Sequence, residues 1–399
     1  MKKSIKVYLL LALMVSGFAC SNDPDEKPQD PEEEGEEIFF SDTTSLKSAT
    51  LNLMNYIPTW EELERFTGPA KRLTLPSYEK RVLSWSGLPG EEGPFDTARN
   101  WMPQVLEYSS SLVGYFGVEG GVSTFNDVPP FSLADGSRIP IPYPLEILDA
   151  KLRANTVLYL YEKSLGLYNT YVHFYPPDQE IDKFTTQAQF YTWFENRFLP
   201  EKVAEAKAAE LMKAEKYIPW PLEFELFIAE VGGIHDGGFL SNSSEAAVLA
   251  FANDVKTKIL NTVKVEYNGI VVAHLYNNYE RPGFDYWDQM SYSGFDEIHF
   301  ALFPPVDAQT TGLYMDTQIE HYTKVVRNSG NIPWIASEIS VYEWYVEDGK
   351  LLEYEKGMYE TVFTKLEAAP IPPKGISPAG GYMKSSAAKE YVKNYFATH

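Results

Sequence analysis

Two short stretches of the chain hold carboxylates in surroundings that do not favour them. The first is Asn331-Ile-Pro-Trp-Ile-Ala-Ser-Glu-Ile-Ser-Val-Tyr-Glu-Trp344, a run of strand formers with Glu338 in its middle. An acid among Trp334, Ile335, Ile339 and Val341 is costly to bury unless it is paired or hydrogen-bonded. The second is Glu215-Lys-Tyr-Ile-Pro-Trp-Pro-Leu-Glu-Phe-Glu-Leu-Phe227. Read as a strand, it projects Glu223 and Glu225 to one side by the period of two. A carboxylate that stays ionised can attack or stabilise positive charge, and a second that starts protonated can act as general acid and then base. The competing reading for each stretch is a salt-bridged or solvated acid at a strand edge.

The rest of the pattern shows what would position these acids. Helical spacing over 145–166 is followed by a β-branched and aromatic strand at 168–175 and a long helical region at 185–216, interrupted at Pro200, which suits the first turn of its second half. Strand 217–227, helix 245–260, strands 263–275 and 295–303, helix 313–327, strand 332–342 and helix 351–367 follow. A last strand within 375–381 and a closing helix 387–396 complete the series. Upstream, 80–86 reads as an early strand and 101–116 has helical spacing. Strands alternating with helices mean a parallel sheet, and a chain of 399 residues suits one (β/α)8 barrel, spanning residues 41–399. No Gly-x-Gly-x-x-Gly turn supports a dinucleotide fold. The strand of Glu223 lies three before that of Glu338. On an eight-stranded barrel this sets two carboxylates across the mouth, the arrangement that glycosidic bond cleavage requires.

The run 203–225 ending Tyr217-Ile-Pro-Trp-Pro-Leu-Glu223-Phe-Glu225, then Val265-Glu-Tyr-Asn-Gly-Ile-Val271 and Trp334-Ile-Ala-Ser-Glu-Ile339, resembles the retaining glycoside hydrolases of the four-seven (β/α)8 superfamily. The resemblance covers roughly residues 200–340. It implies that Glu338 is the nucleophile at the end of strand seven and Glu223 the acid/base at the end of strand four. The superfamily places Asn directly before the acid/base, where this chain has Leu222. Glu225 and Glu230 are the alternative proton donors. A second function class, a glycan-binding barrel without catalysis, is favoured by Leu222 and opposed by Glu338.

Trp220, Tyr276, Tyr279, Trp287, Trp334, Tyr342 and Trp344 fall at strand ends or in the following loops and are candidate sugar platforms, with core packing the competing reading for any single ring. Glu225 is a further candidate for substrate binding. His299, on the sixth strand, could orient the strand-seven carboxylate. His173, His274 and His299 lie on strands and His235-Asp236 follows strand four, but none has the spacing of a zinc site, so no metal and no cofactor is expected. No Gly-x-Ser-x-Gly elbow points to an esterase.

The first residues, Met1-Lys-Lys-Ser-Ile-Lys, the apolar run 7–15 and the small-residue stretch before Cys20 have the parts of a secretory signal, residues 1–19. Cys20 is the single cysteine, which excludes an intramolecular disulfide. Its setting resembles a relaxed bacterial lipobox with Gly17 where Leu is usual, which implies lipidation of Cys20. Residues 21–37 carry nine acids and one Lys with three prolines, so 20–40 reads as a disordered acidic tether. An acidic stretch behind such a Cys resembles the surface-export signal of Bacteroidetes lipoproteins, implying the outer membrane and cell surface. Loss of Lys2, Lys3 and Lys6 with the signal takes the formal charge from −22 to −25. That excess opposes nucleic acid and anionic lipid, leaving a neutral or cationic ligand, with carbohydrate the expected substrate, the lipid as the sole membrane attachment and a monomer as the expected state.

Overall fold

The chain divides into two units, Met1–Glu37 and Ile38–His399. The computed structural model describes residues 43–52, 56–65, 71–86, 111–117, 131–132, 138–139, 145–164, 171–175, 184–220, 223–235, 237–276, 285–305, 308–341, 350–379, 383 and 385–399. The signal-like segment, Cys20, the tether, Leu222, Asp236, Tyr279, Tyr342 and Trp344 lie outside the described residues.

Helices α1 (Thr43–Asn52) and α2 (Trp60–Glu64) precede strands β1 (Glu79–Ser86) and β2 (Ser111–Gly117). A short antiparallel pair follows, β3 (Phe131–Ser132) with β4 (Arg138–Ile139), and then α3 (Leu145–Ser164) and β5 (Tyr171–Tyr175). Next come α4 (Gln187–Trp193), a π turn at Phe194–Phe198, α5 (Leu199–Leu211), β6 (Lys216–Ile218), α6 (Phe224–Gly232) and α7 (Glu245–Glu266). The remainder is β7 (Ile270–Tyr276), a 3-10 turn at Asp285–Gln289, β8 (Glu297–Ala301), α8 (Ala308–Asn328), β9 (Trp334–Ile339), α9 (Lys350–Glu367), β10 (Gly375–Pro378) and α10 (Ser386–Thr398). Eight strands pair in parallel and close in the order β1-β10-β9-β8-β7-β6-β5-β2, so the fold is a (β/α)8 barrel. Counted around the barrel, β6 is the fourth strand and β9 the seventh.

The two faces of the barrel wall follow from packing. Phe300 of β8 stacks on Tyr322 of α8 with ring centroids 4.0 Å apart, and Trp334 of β9 lies 5.6 Å from both rings, so these side chains face the helices. Their neighbours in sequence face the lumen. At its floor Lys216 pairs with Glu79 of β1 at 2.9 Å and with Glu297 of β8, strands that are not adjacent to β6. Lys374 adds contacts of 3.0 Å to Glu79 and 3.2 Å to Glu297, making a buried network with two charges of each sign. Gly375 sits against it, where a Cβ would fall 2.3 Å from the Glu79 carbonyl oxygen.

Three expectations change. The segment expected as strand 217–227 is a strand only to Ile218, because Pro219 and Pro221 cannot donate to a ladder. Beyond it Phe224, Phe227, Ile228 and Val231 recur at helical spacing as the buried face of α6, which ends at Gly233 with φ 57°. Residues 263–266 belong to α7, since Val263 continues the buried stripe of Val255 and Ile259. Ser111–Gly117, expected within a helix, is β2, paired with β1 at six positions. Pro200 occupies the first turn of α5 directly after the π turn, as its place in the helical region leads one to expect.

Candidate active site

The site is built around a break in the alternation of β9. Trp334 and Ala336 face the helices, so strict alternation would send Glu338 the same way. The pairing with β10 shows why it does not. Ile335 and Ala336 partner Gly375 and Ile376, yet Ile339 partners Pro378, leaving Ser337 and Glu338 together opposite Ser377. This is a β-bulge, and Glu338 adopts a left-handed φ of 51°. A left-handed conformation costs a non-glycine residue about 1–3 kcal/mol and persists where the surrounding structure imposes it. Here it turns the carboxylate into the lumen. Glu338 Oε1 lies 3.4 Å from Nε2 of His274, which stands on β7, two strands away around the wall.

Glu223 reaches the same point from the fourth strand. It is the residue before α6, with φ −65° and ψ 143°; its carbonyl accepts the Phe227 N–H at 2.9 Å, while its carboxylate does not cap the helix. One ligand atom from each of Glu223, His274 and Glu338 lies within 4.8 Å of the other two, and all three residues are buried. The structure therefore brings together the two carboxylates singled out in the sequence. It also adds His274, which sequence reasoning treated as one histidine among several. The missed signal is the side shared by alternate residues of β7 and β8: His274 partners His299, and the Glu297 and His299 side chains face inward.

The turn carrying Glu223 is also tied to β7 by two side chains. Trp220 Nε1 donates to the His274 carbonyl at 2.9 Å, and the Tyr276 N–H donates to Glu225 Oε2 at 3.0 Å. These bonds replace the roles expected for both residues. Trp220 is fully buried and Glu225 is a clip between α6 and β7, so neither is placed to receive a sugar. Trp334 packs against α8 and Trp287 lies buried and stacked on Tyr286 at 5.3 Å, so both are core rings rather than platforms. Tyr276 is at the lumen end of β7, with its ring 5.6 Å from that of Phe303. His299 does not orient Glu338; its Nε2 is 2.7 Å from Glu297 Oε1, which commits it to the floor network. Glu230 is exposed on α6.

The electrostatics are dominated by burial. Burial pushes the Glu338 carboxyl up to about 8. Burial likewise pushes Glu225 up to about 8, helped by the nearby Glu223 charge and opposed by the backbone N–H groups of Glu225 and Tyr276. Desolvation disfavours the ionised form in each case. Burial thus favours the neutral form of Glu338 below about pH 8, whereas a nucleophile must be ionised, so Glu338 has to give up its proton before it can attack. The Glu223, His274 and Glu338 donors are also of the type that binds a divalent cation; a zinc ion would draw each to about 2.0–2.2 Å.

No family model and no curated relative matches the sequence. Among solved structures, the chain is similar to a GH113 β-1,4-mannanase at 16% identity, covering 81% of this chain and 99% of that one with a TM-score of 0.47. It is similar to a GH113 β-mannanase from Alicyclobacillus acidocaldarius at 13% identity, with coverage of 80% and 98% and a TM-score of 0.46. A xylanase from Cellvibrio japonicus aligns at 10% identity over 81% of this chain and 99% of that one, with a TM-score of 0.48.

Proposed function

We propose that this protein is a retaining glycoside hydrolase acting on an oligo- or polysaccharide, with Glu338 as nucleophile and Glu223 as acid/base. The observation that carries the proposal is the approach of the two acids, one from the turn after the fourth strand and one from the end of the seventh, with one carboxylate oxygen of each within 4.8 Å of the other, a bound on nearest oxygens rather than on the carboxyl centres. Retaining pairs stand about 5 to 5.5 Å apart, and inverting pairs about 6.5 to 9.5 Å so as to admit a water.

In the first step a Glu338 oxygen bonds to the anomeric carbon as the glycosidic C–O bond breaks, and Glu223 gives its proton to the departing oxygen. In the second, Glu223 takes a proton from water, the water oxygen bonds to the anomeric carbon, and Glu338 leaves as a carboxylate. The bulge supports this reading over glycan binding alone, because binding gives no reason to hold a strained, buried acid in the lumen. The burial of Trp220, Trp287 and Trp334 removes much of the aromatic surface that a binding function would use.

The direct test is covalent capture. An activated 2-deoxy-2-fluoro glycoside series (gluco, manno, xylo) should add one glycosyl mass to the intact protein, mapped to Glu338 by peptide analysis, and Glu338→Gln should stay unlabelled. Labelling elsewhere, or hydrolysis of a glycan panel by Glu338→Gln at the wild-type rate, would remove Glu338 from the role. Loss of hydrolysis on chelation with EDTA would instead favour a metal-dependent hydrolase built on Glu223, His274 and Glu338.

We further propose that the enzyme is a monomeric surface lipoprotein of the Bacteroidetes type, anchored through Cys20 on its acidic tether. The support is the sequence of residues 1–40. Among the described residues no helix is long and apolar enough to cross a membrane.

A further inference from the structure

We propose that His274 is the positioning residue for Glu338, so that the fifth barrel strand, rather than the sixth, supports the nucleophile. The inference rests on the glycosidase reading above and adds to it how the two acids are held in register.

Three observations carry it. The first is reach: His274 Nε2 is 3.4 Å from Glu338 Oε1 across the lumen, and Oε1 makes no hydrogen bond of good geometry among the described residues. That separation is long for a hydrogen bond, as catalytic contacts in the absence of substrate commonly are.

The second is rigidity. His274 is fully buried, and the rim of β7 is pinned at it and just beyond it, by Trp220 Nε1 on the His274 carbonyl and by Glu225 on the Tyr276 N–H. Trp220 and Glu225 flank Glu223 in one turn. The acid/base turn thus fixes the backbone of His274, and the His274 ring meets the nucleophile. This chain of contacts joins two carboxylates that arise 115 residues apart, from 223 to 338.

The third is the commitment of the alternative. His299 is the register partner of His274 on β8, the strand next to Glu338, yet its Nε2 is held at 2.7 Å by Glu297 in the floor network with Lys216 and Lys374. The bulge matters here too. By placing Glu338 one residue out of alternation, it carries the carboxylate to the side of the lumen that His274 faces.

A misplaced nucleophile loses rate rather than affinity, with about 100-fold lost for a displacement of about 1 Å. The experiment compares wild type with His274→Gln and His274→Leu, using rates of capture by the activated 2-deoxy-2-fluoro glycosides and kcat and KM on the matching aryl glycoside. His274→Leu should slow capture about 100-fold while KM stays within about threefold. His274→Gln, which keeps an amide donor of similar reach, should recover about tenfold of that loss. A purely structural role predicts the reverse: a lower thermal midpoint and yield, unchanged capture per folded molecule, and no advantage of Gln over Leu. Any of those results overturns the inference. Should His274→Leu fail to fold, Trp220→Phe decides, since it removes the N–H that pins the His274 carbonyl and keeps a smaller aromatic ring in its place; the expected result is slower capture at unchanged KM, and wild-type capture overturns the inference. If wild type is captured by none of the probes, the glycosidase reading falls and takes this inference with it, whereas capture of wild type with no effect at His274 removes the inference alone.

Discussion

Replacing Glu338 by Gln should stabilise the protein, and by an amount that depends on pH. Gln is a neutral isostere, so it removes the cost of ionising a buried acid. Burial pushes Glu338 from the ordinary 4.5 up to about 8 in the folded chain. Below about pH 4.5 the carboxyl is protonated in both states and the substitution changes little. As pH rises from there, the unfolded chain releases the proton while the folded chain keeps it, so wild-type stability falls until about pH 8, where the folded site also ionises. The gap of about 3.5 pH units, at about 1.4 kcal/mol each, gives roughly 1 kcal/mol of penalty at pH 5 and roughly 4 at pH 8. With an unfolding entropy of about 2.1 cal/mol/K per residue over the roughly 360 residues of the second unit, these translate to midpoint increases of about 1 °C and about 5 °C for Glu338→Gln. Differential scanning calorimetry of both proteins at the two pH values reads this directly. An offset of equal size at pH 5 and pH 8, or a lower midpoint for the variant at pH 8, refutes the view that the lumen holds Glu338 as a costly acid.

Three further outcomes follow from particular contacts. Lys216→Met leaves Glu79 and Glu297 facing each other at the barrel floor with Lys374 as their remaining partner in the network, and should cost about 3–5 kcal/mol in a denaturant titration; a change under about 1 kcal/mol would mean the floor is open to water. Trp287→Ala should lower stability by about 3–5 kcal/mol, as for a core ring, whereas a weakened oligosaccharide affinity with an unchanged midpoint would restore the sugar-platform role. Cys20→Ala should move the protein from the membrane fraction to the soluble fraction, and continued sedimentation with membranes would count against lipid anchoring.

The barrel was legible wherever one face of an element is buried and the other is not. The stripe Val248, Phe251, Val255 and Ile259 announces α7, and the apolar run before Glu338 announces β9, because each repeats at the period of its structure. What failed was the boundary between periods. Trp220, Phe224 and Phe227 are aromatic enough to resemble a strand, and the prolines at 219 and 221 were the signal that the ladder stops there. Glu223 was singled out although its element was misread, and it still falls beside Glu338 because the end of a barrel strand and the turn that follows share one rim. Glu338 was found from the apolar residues around it, yet strict alternation places it on the wrong face. The bulge depends on the spacing of Ser377 on a neighbouring strand, which no local pattern encodes. The role of His274 was hidden for a similar reason: alternation gives the side of β7 it faces, but its partner lies 64 positions later in the chain and two strands around the wall. The aromatics misled because ring count reports neither burial nor direction, and Trp287 and Trp334 serve the core.

The central claim, that Glu223 and Glu338 are a retaining pair with unequal roles, is tested most directly by azide rescue. With an aryl glycoside whose leaving group needs no proton, Glu223→Gln should keep its first step and accumulate the glycosyl-enzyme. Added azide should then accelerate turnover and yield a glycosyl azide of the same anomeric configuration as the substrate, while Glu338→Gln should show no such rescue. Azide acceleration at Glu225→Gln or Glu230→Gln, with Glu223→Gln behaving as wild type, would contradict the assignment. So would a glycosyl azide of inverted configuration.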